Sequence, residues 1–182
     1  DGYCTDLITD FSLSWLKEQR DPDKPFVLMC QHKAPHRNWA PPPRHFTLYK
    51  DTDVPEPATL FDDYAGRSEL LKQNEMSVAN HMMWAHDMKL HGEIEFPEYF
   101  AEKGINHEYE RMSDTQKQVW DAQYEPENQA FLTQMRAGKM TKYQVTQWKY
   151  QRYIKDYLRC IQAVDDGVGR MLDYLDESGL AD

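Results

Sequence analysis

The segment His32-Lys33-Ala34-Pro35-His36 sets two imidazoles and an ammonium close together in a chain that is otherwise acidic, with 31 Asp and Glu against 21 Lys and Arg and a formal charge of −10. Lysine supplies a charged donor and histidine a donor whose charge can change near neutral pH, so this segment has the chemistry to hold an anion. Pro35 inside it and Pro41, Pro42 and Pro43 beyond it limit its freedom, which reduces the entropy lost when donors are fixed on a ligand. The competing reading is a basic loop balanced by neighbouring carboxylates. His32 and Arg37 are read as supporting or exposed residues. His81, His86 and His91 recur every five residues, which is neither the i,i+4 spacing of a helical metal pair nor a zinc motif, and are read as ordinary helix positions. Met76, Met82, Met83 and Met88 with Trp84 are read as helix packing. Cys4, Cys30 and Cys160 form neither a CxxC pair nor a dense framework, so neither a zinc ribbon nor a disulfide scaffold is indicated. A net charge of −10, with the basic residues scattered among acids, repels a phosphate backbone, and nucleic acid is not an expected partner. No run approaches the roughly 18 apolar residues of a membrane-spanning helix, and Asp1-Gly2-Tyr3-Cys4 has no basic or apolar leader character.

The elements that must hold this loop are legible around it. Leu7, Ile8, Phe11, Trp15 and Leu16 recur at helical spacing from Thr5 to about Gln19. Asp21-Pro22-Asp23-Lys24-Pro25 breaks that helix. Phe26-Val27-Leu28-Met29-Cys30 then runs apolar without alternation, as a strand buried on both faces would. Ligands in open α/β sheets gather beyond the carboxyl ends of strands, which is where the basic loop falls. Residues 44–66 read as coil folded across a surface. The chain beyond is predicted mostly helical, over 68–91, 97–103, 113–122 and 126–137, with Ser113 and Asp114 as caps and Gly92, Gly104 and Gly138 as stops. Thr141-Lys142-Tyr143-Gln144 opens a last helix as a capping box, and Ser178-Gly179 closes it. Its expected apolar face carries Ile154, Tyr157, Leu158, Ile161, Val164, Val168, Met171, Leu172 and Leu175, and Gly167 and Gly169 would let another backbone come close. One buried strand cannot form a sheet alone, so the chain is read as an internal part of a larger α/β protein, mostly helical in itself with one buried central strand.

Three motifs in order carry a family resemblance: Gly2-Tyr3-Cys4-Thr5-Asp6 with Thr9-Asp10; Lys24-Pro25-Phe26-Val27-Leu28-Met29 followed by Lys33-Ala34-Pro35-His36; and the run from Ala163-Val164-Asp165-Asp166-Gly167-Val168-Gly169 to Leu175. Together they resemble the sulfatase family of the alkaline phosphatase superfamily. Phe61-Asp62-Asp63-Tyr64-Ala65-Gly66-Arg67 is similar to a stretch in bacterial sulfatases acting on sulfated N-acetylglucosamine. The resemblance implies an alkaline-phosphatase-like sandwich, helices around a mixed central sheet. Residues 1–182 would be an internal part of its N-terminal catalytic domain: helix, strand and active-site loop in 1–43, a largely helical substrate-side insertion in 44–140, and a long helix covering the sheet in 141–182.

That resemblance also implies hydrolysis of sulfate esters by a formylglycine, made from Cys or Ser in a C/S-x-P-x-R motif, with a Ca²⁺ ion. Neither is placed here. No cysteine of this chain fits the motif, and Asp165-Asp166 and Asp62-Asp63 are rejected as the calcium pair, because the family's pair precedes this segment and adjacent Asp side chains on a helix diverge by about 100°. His36 matches the family's catalytic histidine, which contacts sulfate and assists departure of the alcohol oxygen. Lys33, Trp39 and Arg67 are the expected substrate-binding residues. The implied substrate is a sulfated glycan, such as N-acetylglucosamine 6-sulfate of mucin or a glycosaminoglycan, cleaved by an exported enzyme of which this segment alone is inactive. The alternatives are a non-catalytic, sulfated-glycan-binding relative and a phosphodiesterase or phosphonate hydrolase of the same superfamily.

Overall fold

In the computed structural model, which describes residues 2–91 and 105–181, the amphipathic run after Tyr3 forms α1, Cys4–Ser14, and continues into a π-helical turn at Trp15–Gln19. A 3₁₀ turn at Pro43–His45 follows, then α2 (Glu69–Lys72), α3 (Val78–His81), α4 (His107–Arg111), α5 (Asp114–Arg136) and α6 (Lys142–Ser178). The chain divides into a first unit, residues 1–46 with 156–182, and a second, residues 47–155. The predicted helix at 97–103 and the stops at Gly92 and Gly104 lie outside the described residues.

In the first unit α1 exists as expected but buries a different face. Thr5, Thr9, Leu13 and Leu16 are inside, whereas Phe11 of the predicted stripe is 71% exposed. The cause is close approach to α6. A Cβ placed on Gly167 would lie 2.5 Å from Thr9 Oγ1, so only a small side chain facing a glycine fits. Thr9 keeps its hydroxyl satisfied on the Thr5 carbonyl, 3.3 Å away. Arg170 donates to Asp10 at 2.6 Å, and the Lys17 ammonium sits 5.0 Å from the Tyr174 ring centroid. Rising numbers on α1 thus meet rising numbers on α6, and the two helices run side by side in the same direction.

Phe26–Cys30 is not a strand in this structure, and no strand occurs among the described residues. Phe26 packs edge-on against Trp15 at 5.6 Å, while Val27 and Met29 are 90% and 76% exposed. The physical reason is pairing: a strand exists through the ladder it forms with a neighbour, and no described segment supplies one.

The second unit has its core where Trp84, Met88 and Leu90 meet Phe131, Leu132, Met135 and Val145. The single helix expected over 68–91 is instead α2, α3 and a tight turn. Ser68 and Ser77 each accept a backbone N–H and start a new short helix, and the Asp87 carboxylate takes the Met83 N–H at 2.7 Å. Such side-chain bonds compete with the helical ladder. In contrast, the two segments expected over 113–137 are one helix, α5, continuous through Pro126 and opened by the Ser113–Gln116 capping box. A helix-interior proline costs about 3 kcal/mol, and burial of Trp120, Tyr124, Phe131 and Leu132 on one face exceeds that at about 1.5–3 kcal/mol for each large apolar side chain. The short helix α4 was not legible in the sequence; Asn106 caps it by accepting the Tyr109 N–H.

The last helix begins and ends as expected. Thr141 and Gln144 exchange their capping bonds at 2.9 and 3.3 Å, and Gly179 ends the helix at φ +69°. Its inward stripe, however, is Val145, Lys149, Arg152, Asp156, Cys160 and Ala163, while Ile161, Val168 and Leu172 of the predicted apolar face are 37%, 45% and 56% exposed. The buried charges are tolerated because their heads are partnered. Arg159 pairs with Asp156 at 2.9 Å, Arg152 donates to Asn128 Oδ1 at 3.0 Å, and Lys149 donates to the Ala79 carbonyl at 2.9 Å.

Candidate active site

The basic loop is rooted by apolar residues and presents its cations outward. Trp39, Pro41 and Pro42 are buried, whereas Lys33 and His36 are exposed. A turn closed by the His36 N–H on the Lys33 carbonyl, 3.0 Å, sets these two side chains on one bend. Trp39 donates its indole N–H to the Pro35 carbonyl at 2.9 Å and packs edge-on against Tyr157 of α6 at 6.4 Å. The Tyr3 hydroxyl donates to the Ala40 carbonyl at 3.1 Å. Burial, with the Cys160 thiol beside it, pushes that hydroxyl well above its ordinary pKa, so it stays a donor. His36 Nδ1 bonds the Arg37 carbonyl. A carbonyl only accepts, so Nδ1 is the donor in that contact, and Nε2 is the ring nitrogen left to face a ligand.

Beyond the loop lies a charge cluster that sequence reasoning missed. Arg44 makes a forked contact to Asp6 of α1 at 2.6 and 2.8 Å and reaches Asp166 of α6 at 3.4 Å. His45 Nε2 bonds Asp166 Oδ2 at 2.7 Å, and Gln162 adds a bond to the same carboxylate at 3.1 Å. Burial alone would raise the Asp166 carboxyl, but the bonds from Gln162 and His45, with Arg44 alongside, hold it below the ordinary carboxylate value. The only sequence signal was Asp166's place in the long-helix motif; that Arg44 and His45 come back to it is a tertiary fact.

Lys33, His36 and Trp39 therefore share one loop of the first unit. Trp39 is 8% exposed and forms the loop's root. Arg67 belongs to the second unit, where it pairs with Asp62 at 2.6 Å and lies 5.5 Å over the Tyr64 ring. Asp62 and Asp63 cap their own turn through the Tyr64 and Ala65 N–H groups. Asp165 and Asp166 are likewise tied to Gln162. No group of three or more His, Cys, Asp or Glu side chains among the described residues could hold a metal. A groove of about 540 Å³ in the second unit, flanked by Asp53, Glu56, Glu127, Trp148 and Lys155, contains none of the expected site residues.

Lys33 and His36 thus stand exposed on a loop whose root packs against α6 and bonds to Tyr3. A model of the sulfatase family matches residues 1–182, and the chain belongs to that family. It is 39% identical over 181 residues to an N-acetylglucosamine-6-O-sulfatase of Bacteroides thetaiotaomicron, which covers 100% of this chain and 31% of the relative. It is 38% identical over 65 residues to an arylsulfatase of Clostridium perfringens, covering 36% of this chain and 13% of the relative. A solved structure of a protein in complex with its substrate D-glucosamine-2-N,6-O-disulfate superposes with a TM-score of 0.83 at 38% identity, over 98% of this chain and 35% of that one. The chain thus spans about a third of the length of the relatives it matches along its whole extent, and its architecture is that of a sulfatase segment. No helix among the described residues is long and apolar enough to cross a membrane.

Proposed function

We propose that the protein containing these residues is a sulfuric ester hydrolase that removes sulfate from a sulfated glycan, with the 6-sulfate of an N-acetylglucosamine unit as the preferred ester. The observation that carries this is the exposed Lys33–His36 bend in a chain 39% identical, end to end, to a sulfatase of that specificity. His36 Nε2 donates its proton to the alcohol oxygen as the S–O bond breaks and its electron pair passes to that oxygen, leaving the imidazole neutral. Lys33 balances the charge of the sulfate or of a neighbouring anionic group. Trp39 acts by holding the bend, and Arg67 is read as a substrate-binding residue. The formylglycine nucleophile and the calcium ion would come from residues outside this segment.

The same reading makes Phe26–Cys30 a strand of the intact protein's central sheet. The bare side chains of Val27 and Met29, and of Ile161, Val168 and Leu172 on α6, are the apolar surface such a sheet would cover. Export fits a substrate found on extracellular glycans. The test is sulfate release by the intact protein from N-acetylglucosamine 6-sulfate, the 3-sulfate and a phosphate monoester of the same sugar. Preference for the 6-sulfate supports the proposal, and preference for the phosphate ester overturns it.

A further inference from the structure

We propose that Asp166 of α6 is a positioning residue for His36, because it fixes the far end of the loop that carries it, next to a glycine that lets the near end come close. This rests on the sulfatase reading above. At the near end, Gly167 has no side chain where Thr9 and His32 come in: a Cβ there would stand 2.5 Å from Thr9 Oγ1 and 3.6 Å from His32 Nε2. At the far end, Asp166 receives His45 at 2.7 Å and Arg44 at 3.4 Å, and Arg44 is locked at the same time to Asp6 of α1 by its forked contact. Asp166 thus ties residues 44–45 to α6 and, through Arg44, to α1, while the bare backbone of Gly167 leaves room for Thr9 and His32 beside it. Between them the Trp39–Pro35 and Tyr3–Ala40 bonds fasten the root, and the bend with Lys33 and His36 faces outward. A forked guanidinium–carboxylate contact fixes direction as well as distance, and a general acid misplaced by about 1 Å loses rate steeply.

The role is separable from a merely structural one by leaving group. A sugar alkoxide needs a proton as it departs; a 4-nitrophenolate does not. In the intact enzyme, Asp166→Asn should lower kcat on N-acetylglucosamine 6-sulfate roughly 10-fold or more, with KM changed less than about 2-fold and turnover of 4-nitrophenyl sulfate nearly kept. Asp166→Glu should restore part of the loss, and Asp166→Asn should add little in a His36→Ala background, because both act on one proton. Equal losses on the two esters, or a full additional loss on top of His36→Ala, would overturn the proposal. His36→Ala alone is the control for the underlying reading: if it does not discriminate between the esters, the acid role itself fails, whereas a discriminating His36→Ala beside an indifferent Asp166→Asn removes only the positioning role of Asp166. Should Asp166→Asn fail to accumulate, His45→Leu, which deletes a single contact to the same carboxylate, is read by the same criteria.

Discussion

His36 earns its place by what surrounds it. Its Nδ1 is committed to the Arg37 carbonyl, its backbone closes a turn on Lys33, and its side chain is exposed, so Nε2 is the atom that can meet a departing oxygen. His36→Ala in the intact enzyme is expected to lower kcat on a sugar sulfate by roughly 10²-fold or more, as loss of a positioned acid does. Steady-state kinetics on that ester checks it, and an unchanged kcat would remove His36 from the mechanism. Lys33 and His36 were legible as an anion-binding pair from residue type and from their place after an apolar run. That Trp39 turns inward was not, since an aromatic beside prolines looks the same whether it roots a loop or offers a face to a sugar.

The pairing of α1 with α6 depends on a missing side chain. Gly167→Ala would force Thr9 and α1 away, at a cost of about 1–3 kcal/mol for overpacking a tight contact. Thr9→Ala in the same chain should recover much of that loss by removing the hydroxyl that the new Cβ meets. Denaturant midpoints of the two single variants and the double variant test this, and strictly additive losses would show that the two positions do not touch. The glycine could be read from the sequence as a site of close approach. Its partner could not, because Thr9 lies far away along the chain.

Lys149 carries a consequence for the stability of the molecule as a whole. Its amine is buried against the Ala79 and Met82 carbonyls and 4.2 Å from the Trp84 ring centroid, and burial, opposed by Asp87, brings its pKa down from 10.5 to about 8. Between pH 8 and 10.5 the unfolded chain binds this proton and the folded chain releases it, so folding should gain stability as pH rises through that window, by roughly 3 kcal/mol for this group. Below pH 8 both states are protonated and the penalty is fully present. Comparing the protein with Lys149→Met between pH 7.5 and 10.5 isolates the effect, and a gap that does not change with pH would refute it. A second expectation follows from extent: because the chain spans about a third of its relatives and no metal-binding group occurs among its described residues, the isolated segment should not turn over 4-nitrophenyl sulfate. Turnover by the purified segment would contradict the proposed division of labour.

Local chemistry, read along the chain, determined the helix at the start, the prolines that shape the loop, the cap at Ser113, the capping box at Thr141, the glycine that ends α6, and the three motifs that mark a sulfatase. These features depend on residues a few positions apart, so their physics is complete within a short window. Only the tertiary structure decided which face each helix turns inward. Lys149, Arg152, Asp156 and Arg159 are buried because partners distant in sequence, or a carboxylate three residues away already inside, satisfy their charges, against the ordinary rule that keeps such residues outside. The same is true of Asp166, whose bonds to Arg44 and His45 span more than a hundred residues. A window of sequence contains the donor or the acceptor, and only the fold places the two within reach of each other.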